Sequence, residues 1–258
     1  MKQSDLRKRA ILERLRRAGH VYVVDLRNEL AVSEVTIRKD LKEMEERHLL
    51  RRTHGGASVP CGQKAVEPEI GTLLALRTRE KRAIAKLAYT FLRDGDSVLL
   101  DASSTVRELV HLIRDGSLRD LTVITPCIQV AYELAPCESL QVIQIGGMVR
   151  RSLLTVMGPL ATDGLELLRP DKSFIGVNGI TPRIGLTTQN IMECDIKRRI
   201  VDASDRSFVL ADASKLHSAA LGVIGPVGSV DCIITDMGAS ESELAALEDE
   251  GVEVLRAE

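Results

Sequence analysis

One stretch of the chain combines hydroxyl, short apolar and basic side chains at helical spacing. Ser33 is a good helix N-cap, and beyond it Ile37 and Leu41 lie on one apolar stripe that continues to Met44. The opposite face is short, hydroxylated and basic: it carries Val35, Thr36, Lys39 and Lys42, with Arg38 on the flank. Such a face can contact base edges and phosphates in a nucleic-acid groove. The alternative is an ordinary solvated helix face.

A second stretch could bind an anion. Residues 101–105 read Asp-Ala-Ser-Ser-Thr and lie between an apolar run and a predicted helix. Small hydroxyl residues and free amides at a helix N-terminus suit a phosphate, although ordinary helix capping is the alternative. We expect a Thr105-x-x-Glu108 capping box to open the helix. The candidate ligands in this loop are Asp101, Ser103, Ser104 and Thr105.

Three further predicted strands are each followed by glycine or polar residues. They are followed by Gly146-Gly147, by Asn178-Gly179 and by residues 212–215, which end in Lys215. A lysine at a strand end beside a hydroxyl-rich loop can neutralise a phosphate as a point charge. An exposed surface lysine is the alternative interpretation of Lys215.

Residues 1–58 contain the elements that would position the first stretch. Apolar periodicity predicts a helix over 4–18, a short extended segment over 21–24, and a brief helix over 24–30. A three-residue turn then leads into the helix capped by Ser33, as in a helix-turn-helix. Downstream, Arg51, Arg52 and the pair Gly55-Gly56 indicate a β-wing, whose glycines allow a tight turn near a phosphate backbone.

The remainder of the chain alternates short apolar runs with amphipathic segments. We predict strands over 97–100, 121–125, 142–145, 173–177, 207–211, 232–235 and 252–255, separated by helices that include one opened by a Ser240-x-x-Glu243 capping box. This alternation predicts a mostly parallel sheet covered by helices. Ligands bind beyond the carboxyl ends of the strands in such sheets, so the strand-end residues become candidates for one site.

Charge is distributed unevenly along the chain. Residues 1–58 carry 14 Lys or Arg and 9 Asp or Glu, whereas the remainder carries 21 and 28. A basic N-terminal part on an acidic body favours contact between the first part and nucleic acid. The five cysteines are scattered without Cys-x-x-Cys spacing, and there is no secretory or long apolar segment. We therefore expect a reduced, cytoplasmic protein without a membrane span, a metal site or a cofactor.

Two motifs near the N-terminus resemble those of the DeoR family of bacterial transcriptional regulators. They are Leu30-x-Val32-Ser33-Glu34-x-Thr36-Ile37-Arg38-x-Asp40-Leu41 and Arg52-x-His54-Gly55-Gly56-Ala57. The resemblance extends over nearly the whole chain. It implies a small, mainly α winged helix-turn-helix domain (1–58), a linker (59–79), and an α/β effector and oligomerisation domain (80–258) related in fold to ribose-5-phosphate isomerase and the coenzyme A transferases.

The resemblance also implies roles for individual residues. In the DNA-binding domain, Ser33 caps the recognition helix. The residues that face the major groove are Val35, Thr36, Lys39 and Lys42. Those that approach phosphates or the flanking minor groove are Arg38, Arg51, Arg52 and His54. In the effector domain, the resemblance implies that a phosphorylated sugar binds to the loop formed by Asp101, Ser103, Ser104 and Thr105, with Lys215 on the opposite side of the ligand. Glu193 and Lys197 line the same pocket. Neighbouring strand ends contribute Gly146, Gly147 and Asn178.

Three positions depart from the family pattern. The family usually has glycine at His48 and at Ser103, and asparagine at Pro126. Histidine tolerates a left-handed helix end better than most residues, so His48 implies a small stability cost. Ser103 adds a side chain where close backbone approach is expected, and Pro126 removes an amide donor and a polar side chain.

These observations favour a ligand-responsive transcriptional regulator. We expect it to repress a carbohydrate operon and to bind operator DNA as a dimer or higher homo-oligomer. A phosphorylated sugar is expected to release it from the operator. The competing hypothesis is a sugar-phosphate isomerase or transferase with a DNA-binding head, for which Asp101, Glu193 or Asp212 could act as general acid or base. A DNA-binding scaffold without a ligand is the third possibility.

We predict that Arg52→Ala weakens binding to all DNA duplexes together, because a phosphate contact carries no sequence information. The dependence of log affinity on log salt should flatten by about one unit. Fluorescence anisotropy over a salt series, with one specific and one random duplex, measures both effects. Unchanged binding to both duplexes would contradict the wing assignment.

Overall fold

The structure is a computed structural model that describes residues 3–18, 20–47, 49–53, 55–58, 76–216 and 218–258. The chain divides into two compact units, residues 1–76 and 77–258. Most of the predicted linker, together with His48 and His54, lies outside the described residues. The first helix of the second unit begins at Thr78, so the last two residues assigned to the linker are helical.

The described part of the first unit contains three helices, α1 (Gln3–Ala18), α2 (Val23–Leu30) and α3 (Glu34–Glu46). Its apolar core contains side chains from all three helices and from the strands: Ile11, Leu15, Val21, Val23, Leu26, Ile37, Leu41, Met44, Leu50 and Ala57. The predicted stripe on the third helix is therefore confirmed as its buried face. Val32 also packs against this core, as expected of the first residue of a hydrophobic staple.

The same described residues also form three short strands, β1 (His20–Tyr22), β2 (Arg51–Thr53) and β3 (Gly56–Ser58). Within the described residues they form an antiparallel sheet in the order β1-β3-β2. A Cβ atom on Gly56 would lie 1.8 Å from the carbonyl oxygen of Val21, so only glycine permits this approach of β3 to β1. The second glycine of the wing motif thus has a packing role.

An ion pair that the sequence patterns do not reveal joins α1 to α3. The carboxylate of Asp40 is buried and accepts a hydrogen bond from Nε of Arg7. This hydrogen bond raises the pKa of Arg7 above its ordinary value. One turn further along α3, Glu43 forms a more exposed pair with Lys8. Asp40, although it lies in the recognition motif, therefore holds the helix to the core.

The second unit is organised around a parallel sheet. Its seven strands among the described residues are, in spatial order, β15 (Glu253–Ala257), β14 (Cys232–Asp236), β12 (Arg206–Leu210), β9 (Lys172–Ile175), β4 (Ser97–Leu100), β5 (Leu121–Thr125) and β6 (Leu140–Gln144). Every neighbouring pair in this sheet is parallel, which confirms the predicted fold class. The strand order reverses between β4 and β9.

Helices cover both faces of this sheet. They are α4 (Thr78–Tyr89), α5 (Ser104–Asp115), α6 (Ile128–Leu134), α7 (Pro159–Glu166), α8 (Ile191–Ala203) and α9 (Glu241–Glu248). Alternate strand residues enter two different apolar clusters, with Leu99 in one and Val98 and Leu100 in the other. The predicted capping box at Ser240 and Glu243 is confirmed. No helix among the described residues has the length and apolar character needed to cross a bilayer.

Five short antiparallel strands among the described residues were not predicted from the sequence. The hairpin β7 (Met148–Arg150) and β8 (Thr155–Met157) follows β6, and a separate sheet contains β10 (Gly179–Thr181), β11 (Gly185–Thr188) and β13 (Gly222–Gly225). Each strand has only three or four residues, too few for a period of two to stand out. The hairpin and β11 supply contacts to the candidate effector site.

Asp40→Asn should lower the unfolding free energy of the first unit by about 2 kcal/mol, because it leaves the partly buried guanidinium of Arg7 without its counter-charge. Amide hydrogen exchange of α3 in the full-length protein reports this change. Glu43→Gln is the matched control, since it breaks a pair with a more exposed carboxylate and should cost less. Equal losses in the two variants would contradict a special role for Asp40.

Candidate functional site

The N-terminus of α3 has the geometry that the sequence predicts. The side chain of Ser33 accepts a hydrogen bond from the backbone amide of Thr36 at 3.2 Å, and its hydroxyl lies 2.9 Å from that of Thr36. Ser33 is therefore the N-cap. The hydroxyl of Thr36 takes part in this cap, which restricts how it can turn towards a base.

The outer face of α3 is open to solvent. Val35 is 77% exposed, and Arg38, Lys39 and Lys42 are also exposed, whereas Thr36 is half-buried. Glu34 lies between two arginines, at 3.4 Å from Arg27 and 3.6 Å from Arg38. These pairs are exposed and contribute little to stability. They restrain the arginines beside the face that would enter a groove.

The basic strand of the wing lies beside the C-terminal half of α3. Arg51 and Arg52 on β2 are exposed, and the backbone amide of Arg52 donates to Oε1 of Glu45 at 2.7 Å. This bond ties the strand to the helix. The exposed cations of the wing and those of α3 therefore belong to one compact unit, while His54 lies outside the described residues.

In the second unit, the predicted effector residues gather where the strand order reverses. Asp101 follows β4, and Gly176 and Asn178 follow β9, which is the neighbour of β4 in the sheet. Parallel sheets bind ligands beyond the carboxyl ends of the strands at such a switch point. Here the switch point carries buried acidic and basic side chains.

Asp101 is the centre of this arrangement. Its Oδ1 accepts the amide of Ser103 at 2.7 Å, and its Oδ2 accepts the amide of Gly176 at 2.9 Å and a hydrogen bond from Nζ of Lys197. Lys197 also donates to the carbonyl oxygen of Gly176 at 2.9 Å. Burial alone lowers the pKa of Lys197, but the carboxylates of Asp101 and Glu193 outweigh it and hold that pKa above its ordinary value. The lysine is therefore cationic at neutral pH.

Glu193, one turn before Lys197 on α8, extends the cluster to the hairpin. Its Oε1 lies 2.7 Å from the guanidinium of Arg150 on β7, and its Oε2 accepts the hydroxyl of Thr188 at 2.7 Å. That hydroxyl also lies 2.9 Å from Oδ1 of Asn178, and its single proton can serve only one of the two acceptors at a time. The structure thus brings the predicted residues Asp101, Asn178, Glu193 and Lys197 together.

The loop before α5 differs in one respect from the prediction. The N-cap is Ser103, whose hydroxyl accepts the amide of Val106 at 3.2 Å, so the predicted Thr105-x-x-Glu108 capping box is wrong and Thr105 lies inside the helix. Ser103 has ordinary extended backbone angles, and its side chain packs against Gly176, where an added Cβ would meet it at 2.3 Å. The departure from glycine is accommodated because a glycine faces it. In the first turn of α5, the amides of Ser104 and Thr105 have no intrahelical acceptor.

Positively charged side chains surround the carboxyl end of β12. Nε of Arg77 lies 3.6 Å from Oδ1 of Asp212, whose side chain also accepts the amide of Ser214 at 3.1 Å. Burial alone raises the pKa of Asp212, but Lys215, Ser214, Arg77 and Lys81 together hold it below its ordinary value. The predicted residue Lys215 is therefore close to two further cations, Arg77 and Lys81, that sequence reasoning missed.

Lys81 is the more unusual of the missed residues. It lies in the first turn of α4 and is only 4% exposed. Burial lowers its pKa to about 8, an effect larger than the opposing attraction of Asp212. Its position four residues after Arg77 was visible in the sequence, but only the packing of α4 against α5 and the sheet shows that it is buried.

The structure does not join two of the predicted residues to this cluster. Gly146 and Gly147 lie in the turn from β6 into the hairpin, where an added Cβ on Gly147 would meet Met157 and Ala161. Gly147 therefore permits the close approach of this turn to the hairpin that carries Arg150. Pro126 has a related role, because its carbonyl oxygen accepts the amide of Val156 at 2.9 Å on the same hairpin.

Comparisons with known proteins identify both units. A model of the DeoR-like helix-turn-helix domain matches residues 7–62, and a model of the DeoR C-terminal sensor domain matches residues 76–237. The chain is 34% identical to an uncharacterised HTH-type transcriptional regulator, YulB of Bacillus subtilis (strain 168), with 96% of this chain and 95% of that protein covered. It is also 34% identical to a putative aga operon transcriptional repressor of Escherichia coli O157:H7 (96% and 92%) and 32% identical to the HTH-type transcriptional repressor GlcR of Bacillus subtilis (95% and 93%).

Solved structures show a partial likeness of fold. Ribose 5-phosphate isomerase A from Neisseria gonorrhoeae aligns with a TM-score of 0.40 at 15% identity, over 55% of this chain and 54% of that one. The beta subunit of eIF2B from Chaetomium thermophilum aligns with a TM-score of 0.44 at 15% identity, over 85% and 61%. The family assignment comes from the sequence relatives and the matched domain models.

The burial of Lys81 makes protein stability depend on pH. Between pH of about 8 and 10.5 the folded chain has released the Lys81 proton while the unfolded chain keeps it, so raising the pH favours the folded state. Relative to a Lys81→Met variant, the wild type should gain up to about 3 kcal/mol across this window, and the difference should be constant below it. Chemical denaturation at a series of pH values measures the trend. The matched control is Lys86→Met, at an exposed position on the same helix, and an equal trend for that variant would contradict the assignment to Lys81.

Proposed function

Because the chain belongs to the DeoR family of DNA-binding transcriptional regulators, we propose that it represses a carbohydrate operon and is released from its operator by a phosphorylated sugar. Two of the relatives described above are named as repressors, which supports this sign of regulation. The regulator acts in the cytoplasm, where operator and sugar phosphate meet.

The observation that carries the DNA-binding part of the proposal is the open face of α3. Val35, Lys39 and Lys42 project from a helix whose other side is buried, and the exposed Arg51 and Arg52 lie on the adjoining strand. In this arrangement α3 enters the major groove, where Val35, Thr36, Lys39 and Lys42 read bases. The arginines contact phosphates, which fix the register without specifying sequence.

The effector part of the proposal is supported by the charges beyond β4 and β12. A phosphate carries about two negative charges at neutral pH and accepts several hydrogen bonds. The free amides of Ser104 and Thr105, together with Lys81 and Lys215, offer donors and positive charge of the kind a phosphate needs. The half-buried side chain of Asn178 can then contact a sugar hydroxyl.

An enzymatic role is not supported. A general base must reach the proton that it abstracts from the substrate, and the three candidate carboxylates are each engaged by other groups of the protein. Asp101 is held by Lys197 and two backbone amides, Glu193 by Arg150 and Thr188, and Asp212 by Arg77 and Ser214. The relatives are named as regulators as well.

Release requires coupling between effector and operator. A dimer or higher homo-oligomer that presents two recognition helices to repeated half-sites would be sensitive to small changes in subunit arrangement. A coupling free energy of about 1 to 3 kcal/mol reduces operator affinity roughly 5- to 150-fold. This range is sufficient for a regulatory switch.

The test is operator release by sugar phosphates. Duplexes selected from a random pool by the full-length protein supply the operator, and fluorescence anisotropy follows its dissociation as pentose, hexose and triose phosphates are added. We expect at least one sugar phosphate to lower operator affinity at least about 5-fold, with the unphosphorylated sugar inactive. An effector that binds tightly without changing operator affinity would refute the switch.

Two variants separate the two halves of the proposal. Lys215→Met should bind operator normally and lose its response to the sugar phosphate, because the phosphate loses a cation. Lys39→Ala should lose discrimination between operator and random DNA while still binding the sugar phosphate. If Lys215→Met responds like the wild type, the effector site has been placed wrongly.

A further inference from the structure

A series of polar contacts spans the turn between α2 and α3. It joins Asn28, Arg27, Glu34 and Arg38, and we call it the Glu34 network. From its geometry we infer that Arg38 recognises a guanine of the operator and that Glu34 is the positioning residue for this contact. The inference rests on the proposed function, because it assigns a base to the DNA-binding face of α3.

Arg38 lies on the side of α3 that faces outwards. It follows Val35 by three residues and precedes Lys42 by four, and side chains at these spacings are neighbours on a helix surface. Val35 is 77% exposed, and Arg38 and Lys42 are exposed as well. Arg38 is therefore a neighbour of two side chains that the proposed function places at the bases.

The guanidinium of Arg38 lies over the first turn of α3. Long side chains on a helix point back towards its N-terminus, and Nη2 of Arg38 is 3.6 Å from Oε2 of Glu34, the first residue of the helix. In helix-turn-helix proteins the N-terminal residues of the recognition helix contact base edges in the major groove. The charged end of Arg38 is thus at the part of the helix that contacts bases.

The side chain of Glu34 is also held from α2. Its Oε1 lies 3.4 Å from Nη1 of Arg27, whose Nε and Nη2 donate to Oδ1 of Asn28 at 3.2 and 3.1 Å. Arg27 therefore uses all three of its side-chain nitrogens within the network. Among the described residues, Arg38 uses only Nη2, so the rest of its guanidinium can contact DNA.

The carboxylate of Glu34 disfavours a phosphate beside Arg38. A phosphate at this guanidinium would approach a second anion, and like charges a few ångströms apart repel each other. A guanine has no net charge, and its O6 and N7 accept two hydrogen bonds from one arginine. Guanine is therefore a better partner for Arg38 than the phosphate or minor-groove contact that the family resemblance implies.

The first experiment compares the DNA sequences that the variants select. Full-length wild type and Arg38→Ala each select duplexes from a random pool, and we expect one guanine position to be fixed for the wild type and degenerate for the variant. Arg38→Lys keeps the charge but loses the planar fork, so it should also weaken the preference for guanine. The matched control is Arg52→Ala, which should select the wild-type sequence with lower affinity.

Fluorescence anisotropy then measures the contact at that guanine. Exchange of its G·C pair for A·T replaces the acceptor O6 with an amino group, and 7-deazaguanine removes N7 without altering base pairing. The exchange should weaken binding by the wild type about 5- to 150-fold and leave binding by Arg38→Ala nearly unaffected. The effect of 7-deazaguanine should have the same direction and be smaller, because one acceptor remains.

Glu34→Gln tests the positioning role. Glutamine has a similar shape and no charge, so both arginines lose their counter-charge. We expect the preference for guanine to shrink several-fold and binding to a random duplex to rise about fivefold, because phosphates are no longer repelled. The ion pairs are exposed, so the melting temperature should hardly change. An unchanged preference for guanine would contradict the role of Glu34.

The outcomes distinguish the inference from the proposed function. Equal weakening of specific and random duplexes in Arg38→Ala, with the selected sequence unchanged, would identify a phosphate contact and overturn the inference alone. Loss of preference at an adenine or thymine position would overturn the choice of guanine. A wild type that selects no sequence and binds all duplexes alike would overturn the proposed function together with the inference. Circular dichroism verifies that every variant is folded.

Discussion

The buried ion pair between Lys197 and Asp101 holds three elements of the second unit together. It joins α8 to the loop after β4 at the point where the strand order reverses, and it also involves the backbone of Gly176 after β9. Taking two charges out of water is costly, and hydrogen bonds to the backbone of Ser103 and Gly176 offset part of this cost. Apolar side chains of similar volume could pack these elements as well. A polar effector at this edge, as proposed above, would give these charges a function beyond packing.

Further contacts link the pair of Lys197 and Asp101 to the hairpin and to the loop after β5. The carboxylate of Glu193 supports the charge of Lys197, and it is in turn neutralised by Arg150, which lies on a hairpin that two backbone hydrogen bonds also hold in place. The amides of Val156 and Ile128 bond to Pro126 and Leu154. The loop after β5, the hairpin and α8 are thus fixed relative to one another. A ligand that displaces one of these side chains would act on all three elements, which offers a physical basis for transmitting an effector signal.

In the first unit, a buried charged group likewise helps to hold a functional element, the recognition helix, in place. A recognition helix must expose one face completely, so the other face must supply all of its anchoring. Ile37, Leu41 and Met44 provide the apolar part, and the buried Asp40 adds a directional bond to α1. The wing is tied to the same helix by the bond between Arg52 and Glu45. The residues that face outwards are consequently free to change with the operator while the fold is kept.

The limits of prediction follow from the range of the interactions. Local signals gave the Ser33 cap, the stripe on α3, the Ser240 capping box and the strands of the parallel sheet, because propensity and periodicity act within a few residues. At Ser103 and Thr105 two hydroxyls competed for one cap, and the choice depends on Gly176, which is over 70 residues away.

The positions of Lys81 and Arg150 depend wholly on tertiary packing. Lys81 resembles any basic residue in a first helical turn until α4 is placed against α5. Arg150 lies on a three-residue strand that has no detectable period, yet it neutralises Glu193. The sequence can thus nominate individual residues of a site that combines charges from separate elements. Which of these charges neutralise one another becomes visible only in the folded structure.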